Sequence, residues 1–394
     1  MFSKSCVCLL STLLCLTAAT PLLAKDGGET IGQQREGVLF WTQAEREARF
    51  PVMYQRFPSD RVEHGTSVHA LLEGKPLTPR WQDASVTLDS YMTANHIAGI
   101  VILQHGKIRL QRYAPNFGPQ KRWTSFSVAK SFTSTLLGIA LRQGYIHSMD
   151  DALVTYIPQL RGTAYANVTV QQLLTMTSGV QWNEDYSDAK SDVAQMYMKP
   201  CRDHEPHVLS YLKAMPRAWP AGTHWNYNTA ETDLLGILVQ RATHRSLAQY
   251  LSETIWKPYG MSSDAYWVKD ECDGSDTGGS GLSATLLDYA RMGEFMLGGS
   301  RIKGKSIVAD AWLHGAVRQQ EEVGAPDRGY GYLWWTDTDG SYAAIGIFGQ
   351  LVYIDPSRQL VIAQVAAWPQ ASGKALVAGR RAFIAAVKQT LDKE

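Results

Sequence analysis

Residues 123–142 read WTSFSVAKSFTSTLLGIALR, and the fold is decided by how this stretch is read. Phe132, Leu136, Ile139 and Ala140 recur at helical spacing, and Gly144 stops the pattern, so a helix is predicted over 127–143. Ser127 opens that helix and Lys130 follows one turn later, on the same face. A serine hydroxyl is a weak nucleophile until a base sits beside it. Lysine serves as that base in some hydrolases, provided the amine is neutral. Lowering its pKa from ~10.4 by roughly three units costs about 4 kcal/mol, which burial or a dipole must supply. A helix start also offers a free backbone N–H and a dipole that favours developing negative charge. Alone, Ser-x-x-Lys also describes an N-cap serine and an exposed lysine.

Outward from the helix, the flanks are sheet-like. On the N-terminal side, residues 98–104 and 107–113 are β-rich runs separated by His105-Gly106, a hairpin signal. A helix is expected around Ser85–Ala94. Sheet character returns late in the chain, at 343–349, 350–356 and 360–368, with a Pro-Ser-Arg turn between the last two. The segment 374–393 reads as a long amphipathic helix. Between the flanks, about 145–300, helical and loop patterns dominate. Sequence-distant strands must therefore pair into one antiparallel sheet flanked by helices, with a mainly helical second lobe. The class is α+β, and a cleft between the lobes is a natural place for a site.

Composition narrows the function. The chain has 394 residues, 45% hydrophobic and 19% charged, with a net charge of +1, so it carries no basic field for nucleic acid. Lys4 precedes the apolar run VCLLSTLLCLTAATPLLA at 7–24, which reads as a secretion signal over 1–24, cleaved after Ala24 or Ala19. Thr17, Thr20 and Pro21 weaken the alternative, an uncleaved membrane anchor. Periplasmic or secreted location follows, with no stable membrane insertion after cleavage. Residues 25–75 are polar and irregular, an N-terminal arm expected on the surface of the domain at 76–394. Signal removal leaves Cys201 and Cys272, which either pair or remain two free thiols. Cys201, His204 and His207 suggest a metal only weakly, because Pro206 breaks the helical face, and a solvated loop is the expectation. His224 has no partnered acid at a recognisable spacing. Trp334 and Trp335 line a pocket or pack the sheet.

Two further pieces join Ser127 and Lys130. Tyr227, 100 residues after Ser127 in HWNYNTAETDLLG, offers a phenol to relay protons to a leaving group. Gly346-Ile347-Phe348-Gly349-Gln350, read as part of a strand, offers an N–H to join that of Ser127 as an oxyanion hole. With them stand VQQLLTMTSGVQWNEDY (170–186), WKPYGM (256–261), GGSGLSATLLDYARMG (278–293) and GYGYLWW (329–335).

In these ordered motifs, over about residues 85–390, the chain resembles the serine β-lactamase and penicillin-binding-protein superfamily. Within it the likeness is to the class C-like branch of esterases, D-aminopeptidases and 6-aminohexanoate-dimer hydrolases. The resemblance implies a β-lactamase/transpeptidase-like fold and a hydrolase that acylates Ser127. Lys130 and Tyr227 then move the proton, and the N–H groups of Ser127 and Ile347 hold the oxyanion. It implies no metal or organic cofactor, and a small ester or amide as substrate. Two motifs depart from the family. Tyr-x-Asn here is Tyr227-Asn228-Thr229, and Lys-Thr-Gly here is Gly346-Ile347-Phe348, without a cation for a substrate carboxylate. Losing a charge-assisted bond worth ~1.5–3 kcal/mol turns the reading away from β-lactams and toward small amides or esters. Tyr186 resembles the tyrosine that helps the leaving amine in the aminohexanoate-dimer hydrolases. The alternatives are a β-lactamase or D,D-peptidase and, in a different class, a sensor or binding protein on the same fold.

Overall fold

The computed structural model of the chain describes residues 37–198, 200–201 and 204–394. The signal reading at 1–24 and the first part of the arm lie outside the described residues.

The strands, in chain order, are β1 Ser59–Val62, β2 Leu72–Glu73, β3 Ile97–Gln104, β4 Lys107–Tyr113, β5 Arg122–Thr124, β6 Ala265–Val268, β7 Leu282–Thr285, β8 Arg301–Ile302, β9 Lys305–Ser306, β10 Glu321–Ala325, β11 Arg328–Tyr330, β12 Trp335–Asp337, β13 Tyr342–Gly346, β14 Gln350–Asp355 and β15 Leu360–Ala366. The main sheet runs β10-β11-β12-β13-β14-β15-β3-β4-β2. All its pairings are antiparallel except β2 with β4. The decisive long-range pairing is β15 with β3, in the register Ile362↔Ile102 and Gln364↔Ile100.

β15 is buried along its whole length, so the sheet is covered on both faces. Alternation separates the two covers. Val361 faces the helix Leu286–Leu297, where a Cβ on Gly293 would lie 2.5 Å from its side chain. Gln364 faces the other way and accepts a hydrogen bond from the Tyr91 phenol at 2.8 Å. Tyr91 belongs to the helix Leu88–Ala94 and stacks on Phe383 of the C-terminal helix Lys374–Leu391.

The helix Val128–Arg142 is buried on all sides from Val128 to Ala140. Such a helix has no solvated face, and its hydroxyls must find internal partners. Ser131 donates to the Leu333 carbonyl at 2.7 Å, Thr133 to Gly278 at 2.7 Å and Ser134 to Tyr332 at 2.6 Å. The Ser-Phe-Thr-Ser-Thr run thus fastens two loops that border the site.

Two expectations are corrected here. The arm does not merely lie on the surface. It forms helices at Gln43–Arg49 and Met53–Arg56, and β1 pairs with β6. Phe50 is fully buried against Trp123, Phe126 and Phe348, with ring centroids at 5.9, 5.0 and 5.4 Å. Single apolar residues spaced among charges carry that burial, which composition averages away. The stretch read as helical to about residue 300 also contains β6 and β7. With β1 and β5 they form a second antiparallel sheet, in the order β1-β6-β7-β5. Four-residue strands are too short to show a period.

Candidate active site

β5 delivers the chain to the site. Ser125 ties the turn to β7: its N–H donates to the Leu282 carbonyl at 2.7 Å, and its hydroxyl accepts from the Leu282 N–H at 3.1 Å. Phe126 then takes φ 44°, a left-handed conformation that a bulky side chain adopts only under surrounding constraint. Its ring is held by Phe50 and Phe348, the latter at 5.2 Å. This turn projects Ser127 at the head of the buried helix. Among the described residues no protein acceptor takes the Ser127 N–H, so it is free for an oxyanion.

Lys130 is 1% exposed. Its Nζ donates to Ser127 Oγ at 3.0 Å, to Thr229 Oγ1 at 2.9 Å and to the Gly279 carbonyl at 2.8 Å. Burial pulls the amine down to about 8, while the charges of Glu184 and Asp233 push it back up. The base is therefore poised near neutrality by two opposed effects. The Gly279 carbonyl reaches it because a Cβ at Gly279 would lie 2.8 Å from the Thr229 carbonyl oxygen.

Tyr227 comes from the loop before the helix Thr229–Thr243, and Lys130 Nζ lies 5.3 Å from its ring centroid. Burial drives its phenol far above the ordinary value, the Glu184 charge adds to this, and hydrogen bonding with Ser127 works the other way. The ring is fixed by stacking on Trp335 at 5.7 Å and edge-on by Tyr330 at 6.1 Å. Of the two adjacent tryptophans, Trp335 thus supports the site, while Trp334 packs in the core against Tyr342. Asn228 caps the following helix through the Glu231 N–H at 3.1 Å.

Ser127, Tyr186, Thr229 and Ile347 border one cleft. Ile347 is not on a strand, as the sequence suggested. β13 ends at Gly346, and Ile347–Gly349 forms a kink in which Phe348 takes φ 60°. The reason is local: a Cβ at Gly346 would lie 2.6 Å from the Ser125 carbonyl oxygen, so the two segments approach as only glycine allows. Gln350 then stitches the kink to β15, donating to the Ala366 carbonyl at 2.8 Å.

Sequence reasoning missed the acids behind the site. Glu184 accepts from the Tyr186 phenol at 2.7 Å and the Thr229 N–H at 3.0 Å, and also from the Thr229 hydroxyl and the Trp182 indole. Asp233 accepts from the Gly279 N–H at 2.7 Å and from Tyr197 at 3.0 Å, and burial raises it to about 6. A signal for Asp233 existed, since it lies one helical turn after Thr229. None separated Glu184 from its neighbour Asp185, which bonds the Ser187 N–H instead.

Cys201 and Cys272 are joined, with S–S 2.07 Å. His207 is packed against them, 3.1 Å from Cys272 Sγ, but sulfurs bonded to each other are not thiolate ligands, and the cluster makes a poor metal site. His224 is exposed and stacks on Trp219 at 4.1 Å.

A serine at the cleft with a buried lysine and a tyrosine converging on its hydroxyl define a class of acyl-transfer site, and comparison with known proteins agrees with it. The β-lactamase family model matches residues 86–386, and the chain belongs to that family. It is a serine hydrolase. It is 28% identical over 284 residues to the 6-aminohexanoate-dimer hydrolase of Paenarthrobacter ureafaciens, covering 68% of this chain and 72% of that one. A β-lactamase of Pseudomonas fluorescens is 25% identical over 187 residues, covering 44% of this chain and 48% of the other. Among solved structures, a putative 6-aminohexanoate-dimer hydrolase from Bacillus anthracis superimposes with a TM-score of 0.78 at 24% identity, over 88% of this chain and 94% of that one. A class C β-lactamase gives a TM-score of 0.57 at 17% identity, over 76% and 93% of the two chains. The β-lactamase/transpeptidase-like α+β fold expected from the sequence is the fold observed.

Proposed function

We propose that the protein hydrolyses small linear amides or esters through an acyl-enzyme on Ser127. The observation that carries this is the buried Lys130 amine, held 3.0 Å from Ser127 Oγ and shifted toward neutrality. Ser127 Oγ attacks the carbonyl carbon as its proton passes to Lys130 Nζ. The N–H groups of Ser127 and Ile347 take the developing oxyanion. Tyr227, beside Lys130, gives its proton to the leaving nitrogen or oxygen as its bond to carbon breaks, and Lys130 passes the serine's proton on to the phenol, returning to the neutral amine. Tyr186, oriented by Glu184, assists where the leaving group is an amine, which departs less readily than an alkoxide. Water then attacks the acyl carbon, its proton passing to the neutral Lys130 amine and from there to Ser127 Oγ as the acyl–oxygen bond breaks, which releases the acid and the free serine. Each step uses side chains and amides of this chain, and none calls for a metal or organic cofactor.

The name of the aminohexanoate-dimer relative favours an amide substrate. Gly346-Ile347-Phe348, without the cation and hydroxyl that the resemblance sets against a substrate carboxylate, disfavours β-lactams. Burst kinetics on p-nitrophenyl butyrate, nitrocefin and an aminohexanoate dimer test the scheme. Turnover that is lost in Ser127→Ala supports it. No burst and no turnover of any of the three refutes it and moves the binding-protein reading forward.

The same proposal includes export through the segment 1–24 to the periplasm or beyond. A Cys201–Cys272 disulfide supports it, because such bonds persist in oxidising compartments. Cell fractionation checks it, and a full-length protein retained in the cytosol overturns it.

A further inference from the structure

The cleft in front of Ser127 spans about 790 Å³, including the solvent at its mouth, and its walls come from three separate parts of the chain. Val38, Met53 and Phe57 are supplied by the N-terminal arm, Val193 and Met196 by the helical lobe, and Val268 by β6. All six are buried, between 3% and 9% exposed. The polar groups on the lining are hydroxyls, among them Thr124, Thr277 and Ser280. Among the described residues, no Asp, Glu, Lys, Arg or His lines the cleft. Tyr227, the proton donor to the leaving group in the scheme above, also lies off this lining. The leaving group therefore departs between Tyr227 and its neighbour Tyr186 on the wall, and the rest of the cleft is left for the acyl side.

We infer that the enzyme selects a neutral, apolar acyl group, an aliphatic chain or ring without a charged end, and that the arm helps to set this selectivity. The inference rests on the hydrolase reading. It separates the protein from a hydrolase of aminohexanoate dimers, whose acyl half ends in an ammonium. Bringing such a cation against a mostly apolar wall without a carboxylate strips its hydration and returns only contacts with neutral hydroxyls. The arm's role follows from Phe50, whose burial against Phe126 and Phe348 anchors the arm beside the nucleophile turn.

The test compares two amides with one leaving group, hexanoyl and 6-aminohexanoyl p-nitroanilide, which differ in charge at the far end of the chain. Hexanoyl is expected to be preferred in kcat/KM by about 100-fold. Leu39 also lines the cleft and is only partly buried, so Leu39→Asp places a carboxylate there at little risk to folding. That variant is expected to narrow the preference by about tenfold. A wild-type preference of about tenfold or less overturns the inference even while Ser127-dependent cleavage of p-nitrophenyl acetate upholds the hydrolase reading. Absence of all turnover, with no labelling of Ser127 by a fluorophosphonate, defeats the hydrolase reading and the inference with it.

Discussion

Replacing Glu184 by glutamine removes one of the two charges that hold the Lys130 amine up against its burial. Thr229 Oγ1 touches both groups, accepting from Lys130 Nζ at 2.9 Å and donating to the Glu184 carboxylate. The ammonium and carboxylate therefore lie within about 5 Å of each other. At an effective dielectric of ~20 that is an attraction of about 3 kcal/mol, or roughly two pKa units. Glu184 is only partly buried, and solvent screening brings the expected shift to about one unit. The sign is fixed by the charge: without the carboxylate the ammonium is less favoured, so the pKa falls from about 8 toward ~7. Since the neutral amine is the active base, the acid limb of kcat/KM moves to lower pH. At pH 6 the variant works about tenfold closer to its own plateau than wild type does to its own. The plateau itself drops by about 10- to 100-fold, because Tyr186 and Thr229 lose a charged acceptor. The assay is kcat/KM on a p-nitrophenyl ester and a p-nitroanilide from pH 5 to 10. An acid limb that stays in place, or moves up, refutes the assignment of Lys130 as the base and Glu184 as its counter-charge.

Other perturbations read other parts of the structure. Tyr227→Phe keeps the ring stacked on Trp335 and removes the phenol, so kcat should fall by about 10²- to 10³-fold with the melting temperature unchanged, measured by calorimetry beside kinetics. Lys130→Met removes turnover and a buried charge. Because burial lowers this amine from 10.5 to about 8, its penalty of about 3 kcal/mol is full below pH 8 and fades as pH rises toward 10. Wild type should therefore gain stability relative to Lys130→Met across that window in denaturant titrations, and parallel curves would contradict the shift. Cys201→Ser with Cys272→Ser opens a loop of 71 residues and should lower stability by about 4 kcal/mol in urea unfolding. Phe50→Ala should cost about 3–5 kcal/mol and also depress kcat, since the ring braces Phe126 and Phe348 on either side of the site. Loss of stability with kcat intact would show the arm to be remote from the chemistry.

Local pattern carried much of this molecule. Helical spacing after Ser127 gave the nucleophile helix to within a residue, since Val128–Arg142 was expected over 127–143. The β3–β4 hairpin and the C-terminal helix were equally legible, because period and turn chemistry are properties of neighbours in sequence. Ser127, Lys130, Tyr186, Tyr227 and Ile347 were all nameable from motif order, and the fold gathers them around one cleft and its floor. The pairing of Cys201 with Cys272 was an open choice until the fold brought them together.

Tertiary structure alone decided the rest. The arm reads as polar in composition, yet Phe50, Met53 and Phe57 are buried, because the arm packs on the second sheet and Phe50 reaches Phe126 and Phe348. β6 and β7 are too short to announce themselves and exist through pairing with β1 and β5. Glu184 and Asp233 are ordinary acids in sequence, and they become determinants of the Lys130 charge only once folding binds them to Thr229 and Gly279, the residues that Lys130 itself bonds. The sequence by itself determined which groups are proposed for the chemistry, since their identity and local spacing are written in it. How basic Lys130 is, and which acyl group faces Ser127, depends on burial and on charges drawn from distant segments, and these exist only in the folded chain.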